Sequence, residues 1–520
     1  MTGPVLIGLD FGTAQARGVA IEAATGRPVG ARSHDYRHGT LTAALPGGRR
    51  LAPGWALQVA GDYEEAAAAI LSALGPGREV LGIGVGFTAS SPLPSLADGT
   101  PLSDLLPDEP HAYVKLWRHA AQAQADRIGR AAGEHLRNFG GRVSGEWLPP
   151  KALEIAEEAP NVWMRAERFI EAGDWIVRRL VGREARAQGF AAYKAQWSPE
   201  TGYPDHLVPG IGARLAPPLP VGSPAGGLSA AWRARTGIGG PAVVAVAVID
   251  SHVALPAAGA VRDGDFLGAL GTSAAFLHQS EKFRPLPRGI EGVARDGALR
   301  DLWTYEAGTA SFGDTLAWLS RTAPRGATLG ESLAAYDAEA AALPPGGGGL
   351  LALDWWGGNR VPHGDARLRG VILGLRGATE PAAIHRALLE ALAFGARAVL
   401  DAFAEDGFPI GRVLMTSGLA RRSPVLLQVM ADVMGRPVEV PRLDHATAVG
   451  AAIHGAVAAG VVGGYPEGAE RFGARDAQTF VPDAAAARAL RPLYEQYRAL
   501  SADPHLLAAL RALATLETPS

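Results

Sequence analysis

The residues of this 520-residue chain best placed for chemistry are a carboxylate and a glycine turn close to each other in sequence. The apolar, β-branched run Ala245-Val-Ala-Val-Ile-Asp-Ser-His252 delivers Asp250 to the C-terminal end of a strand. A second apolar run, Leu267-Gly-Ala-Leu270, then turns at Gly271-Thr272 with free backbone N–H groups. A carboxylate can accept a hydroxyl proton, and oriented N–H dipoles can hold phosphate oxygens. Together they are the equipment of phosphoryl transfer to an alcohol. Taken alone, an Asp at a strand end serves equally well as a helix N-cap.

Composition limits the alternatives. With 48% hydrophobic residues and a net charge of -3, the chain is a globular protein large enough for two or more domains. The balance of 49 Lys+Arg against 52 Asp+Glu leaves no basic footprint for nucleic acid and no polybasic segment for a membrane. No run is long enough to span a bilayer, and the N-terminus has no signal-peptide pattern, so a cytoplasmic location is expected. Cys 0 excludes disulfides, thiolate metal sites and a cysteine nucleophile. Lys115, Lys151, Lys194 and Lys282 are the only lysines. None follows a glycine, so there is no P-loop, and ATP would have to bind by another route.

The elements that must carry these residues follow from periodicity. Val5 to Leu9 reads as a strand entering the turn Asp10-Phe-Gly-Thr13, a second strand runs over 17–22, and a third completes a meander. Asp62 and Glu65 predict a capping box for a helix over 63–74, followed by a strand over 79–85. The aromatic, helix-rich stretch 92–197 reads as an insertion. From Val261 the strand-turn-strand unit recurs, since Phe266-Leu-Gly-Ala-Leu-Gly-Thr272 echoes Leu6-Ile-Gly-Leu-Asp-Phe-Gly-Thr13. The echo predicts duplicated domains facing each other across a cleft. Thr379 is expected to cap a long helix with Pro381 in its first turn. A strand over 412–415, a turn over 416–420, a helix over 423–434, a strand over 438–440 and a small-residue helix over 446–459 complete the pattern. Gly237-Ile-Gly239 precedes its strand and so is no dinucleotide fingerprint. His111 and His119, on a segment read as helical, have no metal-pair spacing, and His252 reads as structural.

Asp10-Phe-Gly-Thr13, Asp250 with Gly271-Thr-Ser273, and Ser417-Gly-Leu-Ala420 with Thr447-Ala-Val-Gly450 occur in the order found in the FGGY carbohydrate kinases, which the chain resembles over almost its whole length. Tyr113-Val-Lys-Leu-Trp117, Asp174-Trp-Ile-Val177, Tyr193-Lys-Ala195, Tyr305-Glu-Ala-Gly308 and Leu353-Asp-Trp-Trp-Gly-Gly-Asn-Arg360 are similar to the ribulokinase branch of that family. The resemblance implies an α/β fold of two actin-like, ribonuclease H-like domains: 1–260 with a sugar-site insertion, 261–480 with the adenosine site, and a helical tail at 481–520. It implies ATP and Mg²⁺ as cofactors and a ketopentose substrate, first of all L-ribulose of L-arabinose catabolism. A homodimer is compatible with it.

By the same resemblance Asp10 would hold Mg²⁺, and Gly12 and Thr13 would face the phosphates. Gly271 and Thr272 would take the phosphates from the other domain, and Gly313 and Gly418 would let backbone approach the adenosine. Asp250 would be the general base. Ala89, Trp117, Lys194, Asp250 and Glu306 would line the sugar pocket. Without the family, Trp117 would read as core, and Lys194 and Glu306 as surface charges. Three departures bear on the substrate and nucleotide contacts: Gly86 replaces a usual acidic residue, Ser417 a glycine and Ser423 an asparagine. Two alternatives stand beside a ribulose kinase, a kinase for another ketose or polyol and a non-catalytic, ATP-switched actin-like binding protein. Two phosphate-binding turns on different domains must both reach one ATP, so sugar plus a non-hydrolysable ATP analogue should compact the protein in small-angle scattering. An unchanged radius under saturating ligands would contradict this closure.

Overall fold

In the computed structural model, which describes residues 3–516, the run Val5–Phe11 is a strand buried at every position. An almost wholly apolar strand needs a neighbour on each edge and cover on each face. Gln15–Glu22 returns antiparallel beside it, and Pro28–Asp35 extends the meander to a largely exposed edge. On its other side Val80–Phe87 runs parallel, then Val243–Ala245 parallel and Pro224–Gly227 antiparallel. Val248–Ile249 pairs with the last residues of Val80–Phe87, and Asp10 is in register with Gly86 on that same strand. Asp10 and Asp250 therefore leave the sheet at the same end.

One face of this sheet has been cleared of side chains. A Cβ on Gly8 or on Gly84 would lie 1.7 Å from a backbone oxygen, of Ala448 and Ala451 respectively. Both carbonyls belong to the helix Ala446–Ala458. Its Gly450 is under the same constraint, with a Cβ there placed 1.8 Å from the oxygen of Val253. The helix thus touches the sheet backbone to backbone, which only this sequence of small residues permits.

The chain divides into two compact units. The first comprises the residues up to Val261 with Val293–Thr304 and Leu443–Ala474, and the second comprises Arg262–Gly292, Tyr305–Arg442 and the residues from Arg475 onward. Where the sequence suggested consecutive stretches 1–260, 261–480 and 481–520, the units interleave. The 446–458 helix covers the first sheet, and the C-terminal helices belong with the second unit. Tyr494 and Tyr497 of Ala484–Ser501 donate to Asp401 at 2.6 Å and to Asp354 at 2.7 Å.

The second unit repeats the first. Phe266–Leu270 pairs antiparallel with Ala274–Ser280 and parallel with Val413–Thr416, which is followed by Val438–Pro441 parallel and Ala477–Phe480 antiparallel. These pairings match, in direction and order, those that surround Val5–Phe11. The helix Pro381–Glu405 supplies the apolar stripe expected of it. Among the described residues no helix is long and apolar enough to cross a membrane.

Several local expectations give way to longer-range partners. The helix expected to be capped by Asp62 is Ala60–Leu74, with no side-chain cap. Asp62 instead accepts the backbone N–H of His38 at 2.9 Å and pairs with its Nδ1 at 2.8 Å. Glu380, not Thr379, is the N-cap of Pro381–Glu405, and the Thr379 hydroxyl accepts from Arg376 N–H. The turn read at 416–420 is the start of a short helix, Ser417–Arg422. His111 and His119 do not share a helix: one lies in the 3₁₀ turn Pro110–Ala112 and the other beyond the strand Val114–Lys115. Replacing Gly84 by Ala should lower the unfolding free energy by about 1–3 kcal/mol through overpacking. Gly129→Ala, in the helix Gln122–Ala131 with nothing within 4 Å of the new methyl, should raise it by about 0.5–1 kcal/mol. Denaturant titration checks both, and a harmless Gly84→Ala would contradict the close helix contact.

Candidate active site

Asp10 is buried at the end of its strand, where Thr447, in the first turn of the 446–458 helix, donates to its Oδ2 at 2.6 Å. Burial pushes the Asp10 carboxyl up, and the Thr447 hydroxyl and the Arg17 charge pull it back. The turn beyond it is closed by Gly12 N–H on the Gln15 carbonyl at 3.0 Å. Thr13 is held twice, its hydroxyl accepting from Trp117 Nε1 at 3.1 Å and its carbonyl from Gln58 Nε2 at 2.7 Å. Gln58 is steadied in turn by the Tyr63 hydroxyl at 2.5 Å. Trp117 is half-buried and directed to Thr13, a different placement from the apolar core position its residue type suggests. Thr447 and Gln58 carried no expected role. Thr447 is 437 residues from Asp10 in sequence, and nothing local marks Gln58.

Asp250 is half-buried and opens the short helix Asp250–Val253, whose N-cap is Ile249, without a side-chain cap. Its Oδ1 accepts the next N–H, of Ser251, at 2.8 Å. The N-cap reading of this residue is therefore not what the chain builds. His252 is fully buried, with its ring 4.8 Å from that of Tyr193 at 76°. Tyr193 also donates to the Thr304 carbonyl at 2.5 Å. These contacts dock the helix Gln188–Ala195 beside Asp250, with the half-buried Lys194 in its last turn. Ala89, half-buried, follows Val80–Phe87 at the same sheet end. Thus Asp10, Gly12, Thr13, Ala89, Trp117, Lys194 and Asp250 all belong to the first unit.

Gly271, Thr272, Gly313, Gly418 and Glu306 belong to the second. The exposed Gly271-Thr272 turn meets the start of the helix Gly313–Thr322 through Gly313 N–H on the Gly271 carbonyl at 3.0 Å and Phe312 N–H on the Thr272 carbonyl at 2.7 Å. A Cβ on Gly313 would sit 2.7 Å from the Gly271 oxygen, so glycine is needed there. Val413–Thr416, the parallel neighbour of Phe266–Leu270, brings Ser417 and Gly418 to the same sheet end. Ser417 takes φ 80°, a left-handed conformation that favours glycine. Ser423 is buried and N-caps Pro424–Met434. Gln428 and Asp432 hold the tail, through Gln428 Nε2 on the Val481 carbonyl at 2.9 Å and Asp483 N–H on Asp432 at 2.8 Å. Glu306 lies half-buried on Trp303–Thr309. In the first unit, a Cβ at Gly86 would meet Val253 methyl groups at 3.2–3.3 Å, so a larger residue there would press on the helix that Asp250 begins.

Residues 267–459 match the family model described as the FGGY family of carbohydrate kinases, C-terminal domain. The chain is 37% identical to a ribulokinase of Bacillus licheniformis, over 93% of this chain and 94% of that protein. It is 38% identical to a ribulokinase of Mycolicibacterium smegmatis, over 92% and 90%. Among solved structures, the xylulose kinase from Rhodospirillum rubrum matches with a TM-score of 0.83 over 98% of this chain and 100% of that one, at 23% identity. The Plasmodium falciparum glycerol kinase with ADP matches with 0.79 over 96% and 99%, at 13% identity. At such identities these two show a shared fold, the two-domain actin-like ATPase architecture. The sequence relatives show more: the chain belongs to the FGGY family of carbohydrate kinases.

Proposed function

We propose that the protein transfers the γ-phosphoryl group of ATP to the terminal hydroxyl of L-ribulose, giving L-ribulose 5-phosphate and ADP. The observation that carries this reading is the identity of 37–38% with proteins named ribulokinase, sustained over more than nine-tenths of the chain. The side chains at the end of the first sheet suit that chemistry. Asp250 orients the attacking hydroxyl and takes its proton as the new P–O bond forms. Lys194 donates hydrogen bonds to the sugar, Trp117 and Ala89 shape its pocket, and Glu306 accepts a hydrogen bond from it. Thr13 and Thr272 present main-chain N–H groups to phosphate oxygens, Gly12 and Gly271, whose own N–H groups go to the Gln15 and Ser273 carbonyls, let the backbone approach, and Gly313 and Gly418 leave room for the adenosine.

Among the described residues no group of three or more His, Cys, Asp or Glu side chains is arranged to hold a metal. A single carboxylate with a neighbouring hydroxyl, as Asp10 and Thr447 provide, suits Mg²⁺, which keeps several waters and binds through one or two carboxylates. Mg²⁺ there would neutralise charge on the phosphate oxygens.

ADP release measured with a panel of pentuloses, hexuloses and polyols should be fastest with L-ribulose and slow without sugar. Sugar-independent release with no phosphorylated product would contradict kinase activity, and preference for another acceptor would move the substrate assignment. Asp250→Asn keeps shape and a hydrogen bond but cannot take the proton, so kcat should fall by roughly 10²–10⁴-fold with ATP affinity nearly unchanged. A folded, fully active Asn variant would refute the base assignment. Lys194→Ala should raise the sugar KM by an amount corresponding to about 1.5–3 kcal/mol, with little change for ATP. An unchanged sugar KM would place Lys194 outside the pocket.

A further inference from the structure

Lys151 is one of only four lysines, and its side chain has no exposure to solvent. From the helix Leu148–Glu158 its Nζ donates to three backbone carbonyls, of Ser90 at 2.6 Å, Leu116 at 2.9 Å and Lys115 at 3.3 Å. An ammonium has three donors, and three acceptors saturate it. The carbonyls come from two separate segments: Ser90 follows Ala89, and Leu116 precedes Trp117. The buried ammonium therefore joins the two loops that the proposed sugar pocket depends on.

Other contacts around this joint support a positional purpose. Ser90 has φ 61°, a left-handed conformation that a non-glycine residue holds only with outside support. Its neighbour Ser91 donates its N–H to the buried Glu171 at 2.8 Å, so the bend is held from both sides. Farther along the Lys151 helix, Glu154 pairs with Lys115 Nζ at 2.7 Å and His119 Nε2 at 2.8 Å, gripping the chain on both sides of Trp117. Trp117 reaches Thr13. Burial pulls the Lys151 ammonium down, and the carboxylates of Glu171, Glu146 and Glu154 act against that pull. Filling this space for stability alone requires no charge, since well-packed apolar residues often replace buried ions without loss.

We propose that Lys151 is a positioning residue for the acceptor sugar, fixing the Ala89 loop against the Trp117 segment by hydrogen bonds to both. The proposal rests on the reading of Ala89 and Trp117 as sugar contacts. The test is steady-state kinetics of full-length K151M and K151Q, with L-ribulose and ATP varied independently and thermal unfolding recorded alongside. K151M should raise the sugar KM about tenfold or more while the ATP KM stays within about twofold, and K151Q, which keeps two N–H donors, should recover part of the loss. An unchanged sugar KM, an equal rise in both KM values, or failure of both variants to fold would overturn the proposal in favour of a purely structural lysine. A wild-type protein inert toward every sugar would overturn the functional reading itself, and this proposal with it.

Discussion

The backbone contact between the Ala446–Ala458 helix and the first sheet is the constraint on which the rest of the first unit depends. Gly8 and Gly84 leave no side chain between strand and helix, and Gly450 leaves none between the helix and Val253. Interiors are packed too densely to absorb a methyl group at such distances. That contact carries Thr447 onto Asp10 and sets the helix against the residues that follow Asp250. Two carboxylates from strands far apart in sequence are thereby fixed at one sheet end, each with defined hydrogen bonds. Their placement is a consequence of missing side chains as much as of the side chains present.

The same strand order ends in different residues in the two units. In the first, the sheet end carries polar side chains: the carboxyl groups of Asp10 and Asp250, Lys194, and the Trp117 indole, whose N–H donates to Thr13. In the second, the corresponding hairpin turn is Gly271-Thr272, with backbone contacts to Gly313 and little side-chain chemistry. Where Gly8 faces a helix, its counterpart Gly268 faces Met415, whose sulfur would lie 2.4 Å from a Cβ there. One pattern of strands thus ends in polar side chains in one copy and in a main-chain turn in the other.

Much of this was legible in the sequence, where periodicity could report it. The strand before Asp10, the Gly-Thr echo at 271–272, the Pro381 helix and the small-residue helix at 446–458 all stand where apolar spacing and glycine placement put them. The errors share a physical origin. Local capping and turn rules point to Asp62, Thr379 and a turn at 416–420, where longer-range partners or helical continuation prevail in the fold. The membership of 443–474 in the first unit could not be read from spacing, because it follows from contacts across more than 400 residues. Nothing local marks Gln58, while Thr447 stands out only as part of a family motif and Lys151 only as a rare lysine; the contacts of all three appear once distant carbonyls or carboxylates converge on them.

In the proposed mechanism Asp250 receives the terminal hydroxyl of the sugar. A crystal structure of the protein with L-ribulose and a non-hydrolysable ATP analogue tests it most directly. The terminal oxygen of the sugar is expected at about 2.6–3.2 Å from the Asp250 carboxylate. The same oxygen should face the γ-phosphate. A sugar whose terminal hydroxyl is bound by another group, with the Asp250 carboxylate engaged only by backbone N–H, would contradict it.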